Sequence, residues 1–475
     1  MNVVIFTDVN EFGYLKYAGP YKIATELRQH GYTVQVVDNF CKYSFVKTQK
    51  ILNKFITNDT LWIGFSTTFT PAVEKQDSNN RRRPKRQNDD TSIERVLGRK
   101  DIEQVIQYAK DLNPNLKVVV GGANARLLKQ DPNLDHVILG QGETSTVAIT
   151  NSIKNNEPIK KILSETDFPY EGFTTSTIEY QPQDIIFPGE HLSIEFSRGC
   201  IFKCKFCNYP LLGKKLWDFV KSPKLIAQEI QRNYDLFSTQ GYMIADDTVN
   251  DSVEKVEALH KELTQLPFKL TLSAYARVDL IIAHPHTLDL MYEMGFRSLF
   301  FGVESFNYET AKAIGKGMPP EKIKQGLIDI KARYPDILIT LAIIFGLPHE
   351  TRETMEEAIE YFKTCPADNI TVSPYFINPE STIGQNPSTY GYVVNGPKDW
   401  TNEYTSWAEC EELTNKAQEV LGPKNKLSWI FLNRVMNCGF TQDYCATHTM
   451  KEAKEEVVAA KKELIQKYYK QLMLS

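Results

Sequence analysis

The sequence predicts an α/β protein in three successive pieces: a doubly wound parallel sheet, a partial (β/α)6 barrel and a mainly helical C-terminal segment. Three observations predict it. Over about residues 1–155, short β-branched runs alternate with amphipathic stretches, the pattern of strands buried on both faces and joined by helical crossovers. Over about 189–395 a second series of six apolar runs follows, again with helical patterns between them. From about 396 the pattern turns helical and ends in "KEAKEEVVAAKKELIQKYYKQLM", a charged amphipathic helix. A chain of 475 residues, 42% hydrophobic and 24% charged, is long enough for each piece to bury its own core.

The strands of the first piece are "VVIF", "YTVQVVD", "LWIGFS", "KVVVGG" and "HVILGQGE", separated by helical stretches such as "PYKIATELRQHG" and "DIEQVIQYAKDLN". Such sheets bind ligands beyond the carboxyl ends of their strands. That places a candidate ligand edge at the turns 8–11, 66–68, 121–124 and 140–143, all small or polar, with Ser66, Gly121, Gly122, Gly140, Gly142 and Glu143 as candidate contacts. The polar run "EKQDSNNRRRPKRQNDDTSI", 74–93, reads as a mobile insertion. Asp77, Asp89 and Asp90 dilute its basic charge and no aromatics are interleaved for stacking, so a solvated loop is expected and not a nucleic-acid arm. Residues 156–188, with Pro158, Pro169, Pro182 and Pro188, read as the linker between domains. The six runs of the second series are "HLSIEF", "GYMIADD", "LTLSAYARVD", "SLFFGVES", "LITLAIIFG" and "NITVSPYF".

A formal net charge of −4 gives no reason to expect a polyanionic partner. No apolar run approaches the ~20 residues that span a bilayer, and "MNVVIFTDVN" lacks a basic n-region, so a cytoplasmic protein without membrane contact is expected. Three of the eight cysteines fall within eight residues, which favours metal or redox use in a reducing compartment over a disulfide framework.

Those three are Cys200, Cys204 and Cys207 in "SRGCIFKCKFC", directly after the first strand of the second series. Structural zinc sites show four ligands, often as two close pairs, whereas C-x3-C-x2-C offers three from one loop with no Cys or His close behind. A cubane iron–sulfur cluster held by three thiolates leaves one iron open to an external ligand. Cys438 and Cys445, in "CGFTQDYC", and the isolated Cys41, Cys365 and Cys410 are more simply core residues.

"CIFKCKFC" resembles the cluster loop of the radical S-adenosylmethionine superfamily, and the six βα units resemble its partial TIM-type barrel over about 200 residues. The resemblance implies a [4Fe-4S] cluster on the three cysteines and S-adenosylmethionine at its open iron. Phe206 matches the aromatic position whose backbone lies against adenine. Asp247 in "ADD" and Arg277 in "ARVD" match strand ends around the methionine carboxylate; Glu304 and Ser305 in "GVES" match the position at the ribose or amino acid part; Ile344 in "IIFGLPHET" matches the fifth-strand motif beside adenine. Singly, a carboxylate at such a place is as readily a helix cap, and an arginine a salt-bridge partner. Lys316 in "AIGKGM" recurs in the family without an assigned contact.

The first piece resembles the Rossmann-like cobalamin-binding domain that precedes the barrel in many of these enzymes, through "VVVGGANA", "LGQGETS" and Ser66. The first loop, "DVNEFGYLKYAG", departs from the Asp-x-His-x-x-Gly of corrinoid proteins that ligate cobalt, and His30 sits at a helix end, so cobalamin without a protein ligand on cobalt is expected. A vestigial domain that no longer binds corrin is the competing reading. The resemblance implies a cobalamin-dependent methyltransferase acting at an unactivated centre of an unknown substrate. The reduced cluster would cleave S-adenosylmethionine to a 5'-deoxyadenosyl radical, the radical would take a substrate hydrogen, and the corrin would deliver the methyl group, with the substrate between the two domains and under the C-terminal segment. An electron donor such as a flavodoxin or ferredoxin is implied. Corrin-assisted rearrangement, cyclisation or oxidation without methyl transfer is an alternative, and a non-catalytic corrinoid or iron–sulfur module is another. A methylthiotransferase is disfavoured because its extra cluster needs three N-terminal cysteines and only Cys41 is present there.

Overall fold

The computed structural model describes residues 1–8, 12–67, 99–209, 211–427 and 430–475. The 74–93 insertion and Thr68 lie outside them, as does most of the 8–11 turn. The first sheet contains β1 (Val3–Phe6), β2 (Val34–Val37), β3 (Trp62–Ser66), β4 (Lys117–Gly121), β5 (His136–Leu139) and β6 (Ile162–Ser164). All pair in parallel, in the order β2-β1-β3-β4-β5-β6. Both faces are buried, which explains the lack of polar alternation. Val3, Ile5, Val34 and Val36 pack beneath α1 (Ala18–Gln29) and α4 (Glu143–Asn155). Val4, Phe6, Ile63 and Phe65 pack beneath α2 (Phe45–Phe55) and α3 (Arg99–Leu112). β6 is a correction to the reading of 156–188 as a linker: "KILS" pairs with β5 and extends the first sheet. Its proline-flanked brevity hid a strand of only three residues.

The second sheet contains β7 (Leu192–Ile194), β8 (Gly241–Ile244), β9 (Thr271–Ala276), β10 (Phe296–Glu304), β11 (Leu338–Phe345) and β12 (Asn369–Pro374), each parallel to its sequence neighbour. Its crossovers hold α5 (Pro223–Phe237), α6 (Val253–Leu263), α7 (Val278–Ala283), α8 (His286–Glu293), α9 (Tyr308–Ala313), α10 (Pro320–Arg333) and α11 (Arg352–Phe362). Leu272, Ala274, Leu299, Phe301, Ile343 and Phe345 are buried in the core. The alternate positions Tyr275, Phe300, Ala342, Ile344 and Ser373 are only partly buried and line the other, concave face.

The C-terminal segment is divided between the two sheets. After α12 (Thr382–Gln385), a hairpin of β13 (Val393–Gly396) and β14 (Asp399–Thr401) precedes α13 (Trp407–Leu421), which packs on β12 and α11. Next, α14 (Ile430–Asn437) lies against β8 and β9, followed by α15 (Gln442–Thr447) and α16 (Met450–Leu474). From α16, Ile465, Tyr468 and Leu472 enter the core of the first sheet. Among the described residues no helix is long and apolar enough to cross a membrane.

Candidate active site at the facing strand ends

The loop after β7 is fixed by backbone before any side chain acts. The Cys200 amide donates to the Leu211 carbonyl at 3.3 Å, and the Gly213 amide donates to the Cys200 carbonyl at 2.7 Å. Gly199 has φ +76°, and a Cβ there would meet the Leu211 Cβ at 2.5 Å, so the "RGC" turn closes only around glycine. The Ile383 amide donates to the Lys205 carbonyl at 3.0 Å, which ties the loop to α12.

A buried polar strut holds this loop on β8. Asp246 accepts from the Phe196 amide at 2.7 Å, the Ser197 amide at 2.9 Å and the Ser197 hydroxyl at 2.6 Å. Lys255 of α6 lies 3.8 Å from Asp246 and also donates to Ser197 Oγ, the Thr248 carbonyl and Asp251. Asp247 accepts from the Gly199 amide at 3.0 Å, and burial raises its carboxyl to about 6. Of this pair, the "ADD" motif pointed to Asp247; Asp246 and Lys255, which hold the loop, carried no sequence signal.

The loop carries all three thiols. Cys200 Sγ is 3.5 Å from Thr248 Oγ1, and Arg277 Nη1 donates to Cys204 Sγ at 3.6 Å. Burial raises the Cys200 thiol and pushes Cys207 up to about 11, so these two thiols are protonated at neutral pH until a cation displaces the protons. Among the described residues no three His, Cys, Asp or Glu side chains converge as a single ion would require. Three thiols from one loop, each able to take a separate iron, suit a cluster held by three thiolates.

The other expected contacts divide into groups around this loop. Arg277 is buried, ion-paired with Asp279, and stacked 3.9 Å over the Phe202 ring, so it braces the cluster loop. Glu304 ends β10 at a bulge with φ +69°, a conformation costly for a residue with a Cβ. Lys316 Nζ lies 3.4 Å from Glu304 and donates to the Gly302 carbonyl, which assigns the contact that the sequence left open. Ser305 donates to Glu350 at 2.6 Å, and Glu350 accepts from the Gly346 amide at 2.8 Å, clasping the ends of β10 and β11. Phe206 and Ile344 are partly buried against the barrel core.

In the first sheet, Ser66 ends β3, and Gly121 ends β4, its carbonyl accepting from the Thr67 amide and hydroxyl at 2.8 Å. Gly122 (φ +96°) and Gly140 (φ +78°) take left-handed turns, and Gly142 caps α4. Glu143 is buried and ion-paired at 2.6 Å with Arg198 of the cluster loop. Arg198 also grips Glu195 at 2.9 Å, reaches Gln141 at 3.4 Å, and lies over the Phe173 ring. A second bridge, Arg126 to Glu380 at 2.8 Å, links the turn after β4 to the segment after β12. The carboxyl ends of both sheets thus meet.

Residues 194–362 match the description of the radical SAM superfamily. The chain carries a radical SAM domain. This match spans β7 to α11 and includes the three cysteines. An uncharacterized methyltransferase of Pyrococcus horikoshii is 24% identical over 294 residues, 56% of this chain and 62% of that protein. The anaerobic magnesium-protoporphyrin IX monomethyl ester cyclase of Rubrivivax gelatinosus is 22% identical over 312 residues, 60% of this chain and 55% of that one. The chain thus spans less than two thirds of either relative. The fold beyond the radical SAM domain is similar to the solved structure of TsrM from Kitasatospora setae, with a TM-score of 0.64 at 14% identity over 98% of this chain and all of that one.

Proposed function

We propose that this protein is a cobalamin-dependent radical SAM methyltransferase, with the first sheet as a Rossmann-like corrin-binding domain. The observation that carries the reading is the bridge from Arg198 of the cluster loop to Glu143 of the "GQGE" turn. Parallel α/β sheets and barrels both bind ligands at the carboxyl ends of their strands, and here those ends oppose each other across one space. The relative named a methyltransferase, and the TsrM structure, described as a radical S-adenosylmethionine methyltransferase with cobalamin and a [4Fe-4S] cluster bound, support the same reading.

Cys200, Cys204 and Cys207 would hold the cluster, and Gly121, Gly122, Gly140 and Gly142 would let the backbone approach the corrin tail. When bound, these groups supply one-electron cleavage of S-adenosylmethionine and the methyl group. The chain's residues position and shield: Asp246 and Lys255 fix the cluster loop, Arg277 neutralises charge at Cys204, and the Glu304–Lys316 pair presents a carboxylate beside the lumen. The first loop supplies no histidine and His30 is exposed at the end of α1, so cobalt would have no protein ligand. The Glu143 side chain itself is engaged by Arg198 at the domain junction. The expected electron donor, a flavodoxin or ferredoxin, and a cytoplasmic location belong to the same proposal.

Anaerobic reconstitution should give about four irons per chain, and Cys204→Ala should abolish both the cluster absorbance and 5'-deoxyadenosine formation. Normal cleavage by that variant would refute the assignment. Hydroxocobalamin reconstitution followed by one-electron reduction with a mild chemical reductant should give a cobalt(II) spectrum without splitting from a protein nitrogen; failure to retain corrin would indicate a vestigial domain. A product heavier by one methyl group separates methyl transfer from rearrangement or cyclisation.

A further inference from the structure

Arg434 lies on α14 and is 1% exposed. Its Nη2 donates to the Tyr17 hydroxyl at 2.9 Å, while its Nε has no hydrogen-bond partner. Among the described residues no carboxylate pairs with it. Other buried cations differ: Lys16 has Asp38, Lys221 has Glu229, Lys255 has Asp251 and Arg277 has Asp279. Burying a guanidinium without a counter-charge is unfavourable, and that burial lowers the Arg434 pKa. The cost is removed when an anion arrives.

The position of Arg434 says where that anion would come from. Asn433, the preceding residue, accepts from Ser273 on the concave face of β9 and donates to the Thr271 carbonyl at 3.2 Å, so α14 forms a floor beneath the lumen. Tyr275, next on that face and partly exposed, is an electrostatic neighbour of Arg434. Tyr17 comes from the loop between β1 and α1, at the ligand-binding edge of the first sheet. Gly13 of that loop (φ +69°) packs so closely that a Cβ would meet Arg434 Cβ at 2.6 Å. All three pieces of the chain therefore converge on one guanidinium.

We propose that Arg434, with the Tyr17 and Tyr275 hydroxyls, recognises an oxyanion, a carboxylate or a phosphate, carried by the molecule that the radical SAM site modifies. This rests on the functional reading above and assigns it a substrate class. A guanidinium edge with a vacant Nε suits a planar carboxylate, and each charge-assisted hydrogen bond favours an anion over its neutral analogue.

The test is a 19F NMR titration of the reconstituted holoenzyme with 4-fluorobenzoate, 4-fluorophenyl phosphate and 4-fluorobenzamide. Saturable broadening of an anionic probe but not of the amide is expected, and the tighter anion identifies the group. Arg434→Met should weaken that binding at least tenfold and Arg434→Lys less, because charge survives but the fork does not. Tyr17→Phe, which removes only a hydroxyl, reports on the site even if the arginine variants misfold: a several-fold loss is expected. No saturable binding of either anion to the wild type would overturn the proposal, as would wild-type affinity in folded Arg434→Met. Displacement of the probe by S-adenosylmethionine or cobalamin would also overturn it, by assigning the arginine to a cofactor. Because 5'-deoxyadenosine formation without co-substrate is measured separately, failure here is distinguishable from failure of the radical SAM reading.

Discussion

At the barrel mouth, carboxylates are set apart by what stands a few ångströms away. Glu195 is held below the usual range because Arg198 outweighs the cost of burial. No cation among the described residues pairs with Glu350, and burial pushes it up to about 7 despite the Ser305 and Gly346 donors. A carboxyl raised on folding favours the folded state below its ordinary value, and that benefit is lost as pH rises through about 7. Glu350→Gln removes this term. Between pH 4.5 and 8, the wild type should therefore lose up to about 3 kcal/mol relative to Glu350→Gln, read from paired thermal or urea melts. An unchanged gap would show that Glu350 does not titrate in that window. The three cysteines stood out in the sequence because their spacing lies within one loop. Glu350 was printed in the recognised "IIFGLPHET", but its role depends on Ser305, 45 residues away.

Among the elements, α16 shows how a helix can be legible while its partner is not. Its amphipathic pattern is plain in the sequence, yet its apolar side docks onto the first sheet, more than 400 residues upstream. Tyr468 is fully buried there, with its hydroxyl accepting from the Asp38 amide at 3.1 Å and its ring 4.4 Å from the Lys16 ammonium. Tyr468→Phe keeps the ring and orphans one amide, so it should cost about 1–2 kcal/mol. Tyr468→Ala also leaves a cavity and should cost about 3–5 kcal/mol, measurable by urea denaturation monitored at the first sheet. Equal losses would mean that the ring's packing contributes little. A second element-level case is the turn after β11. Gly346 has φ +91°, and a Cβ would meet Trp400 at 2.5 Å, so Gly346→Ala should lower the melting temperature even though alanine is small.

On the scale of the whole molecule, the two sheets share one buried core, and a few polar side chains add to it where their carboxyl ends meet. Arg198 joins Glu143, Glu195 and Gln141, and the exposed Arg126–Glu380 pair adds little in water. Glu143→Gln keeps the shape and removes one charge from the junction. The expected result is about tenfold faster amide exchange over 196–213, the loss of one charge-assisted hydrogen bond, with the exchange of β10 and β11 unchanged. Uniformly faster exchange would instead mean that the whole fold had weakened.

The sequence by itself determined the six strands of the second sheet and their order, the two-sided burial of the first sheet, the three-cysteine loop and the helical end of the chain. Each of these is written in residues near one another, as a buried run, a turn glycine or a C-x3-C-x2-C spacing. Only the tertiary structure decided that "KILS" is a sixth strand, that Glu143 turns to Arg198, that Lys255 supports the cysteine loop, and that Arg434 stands among Tyr17, Tyr275 and α14 with no acid paired to it among the described residues. These are pairings between charges and phenols separated by tens to hundreds of residues. Their energies depend on distance and burial, quantities that exist only once the chain has closed on itself.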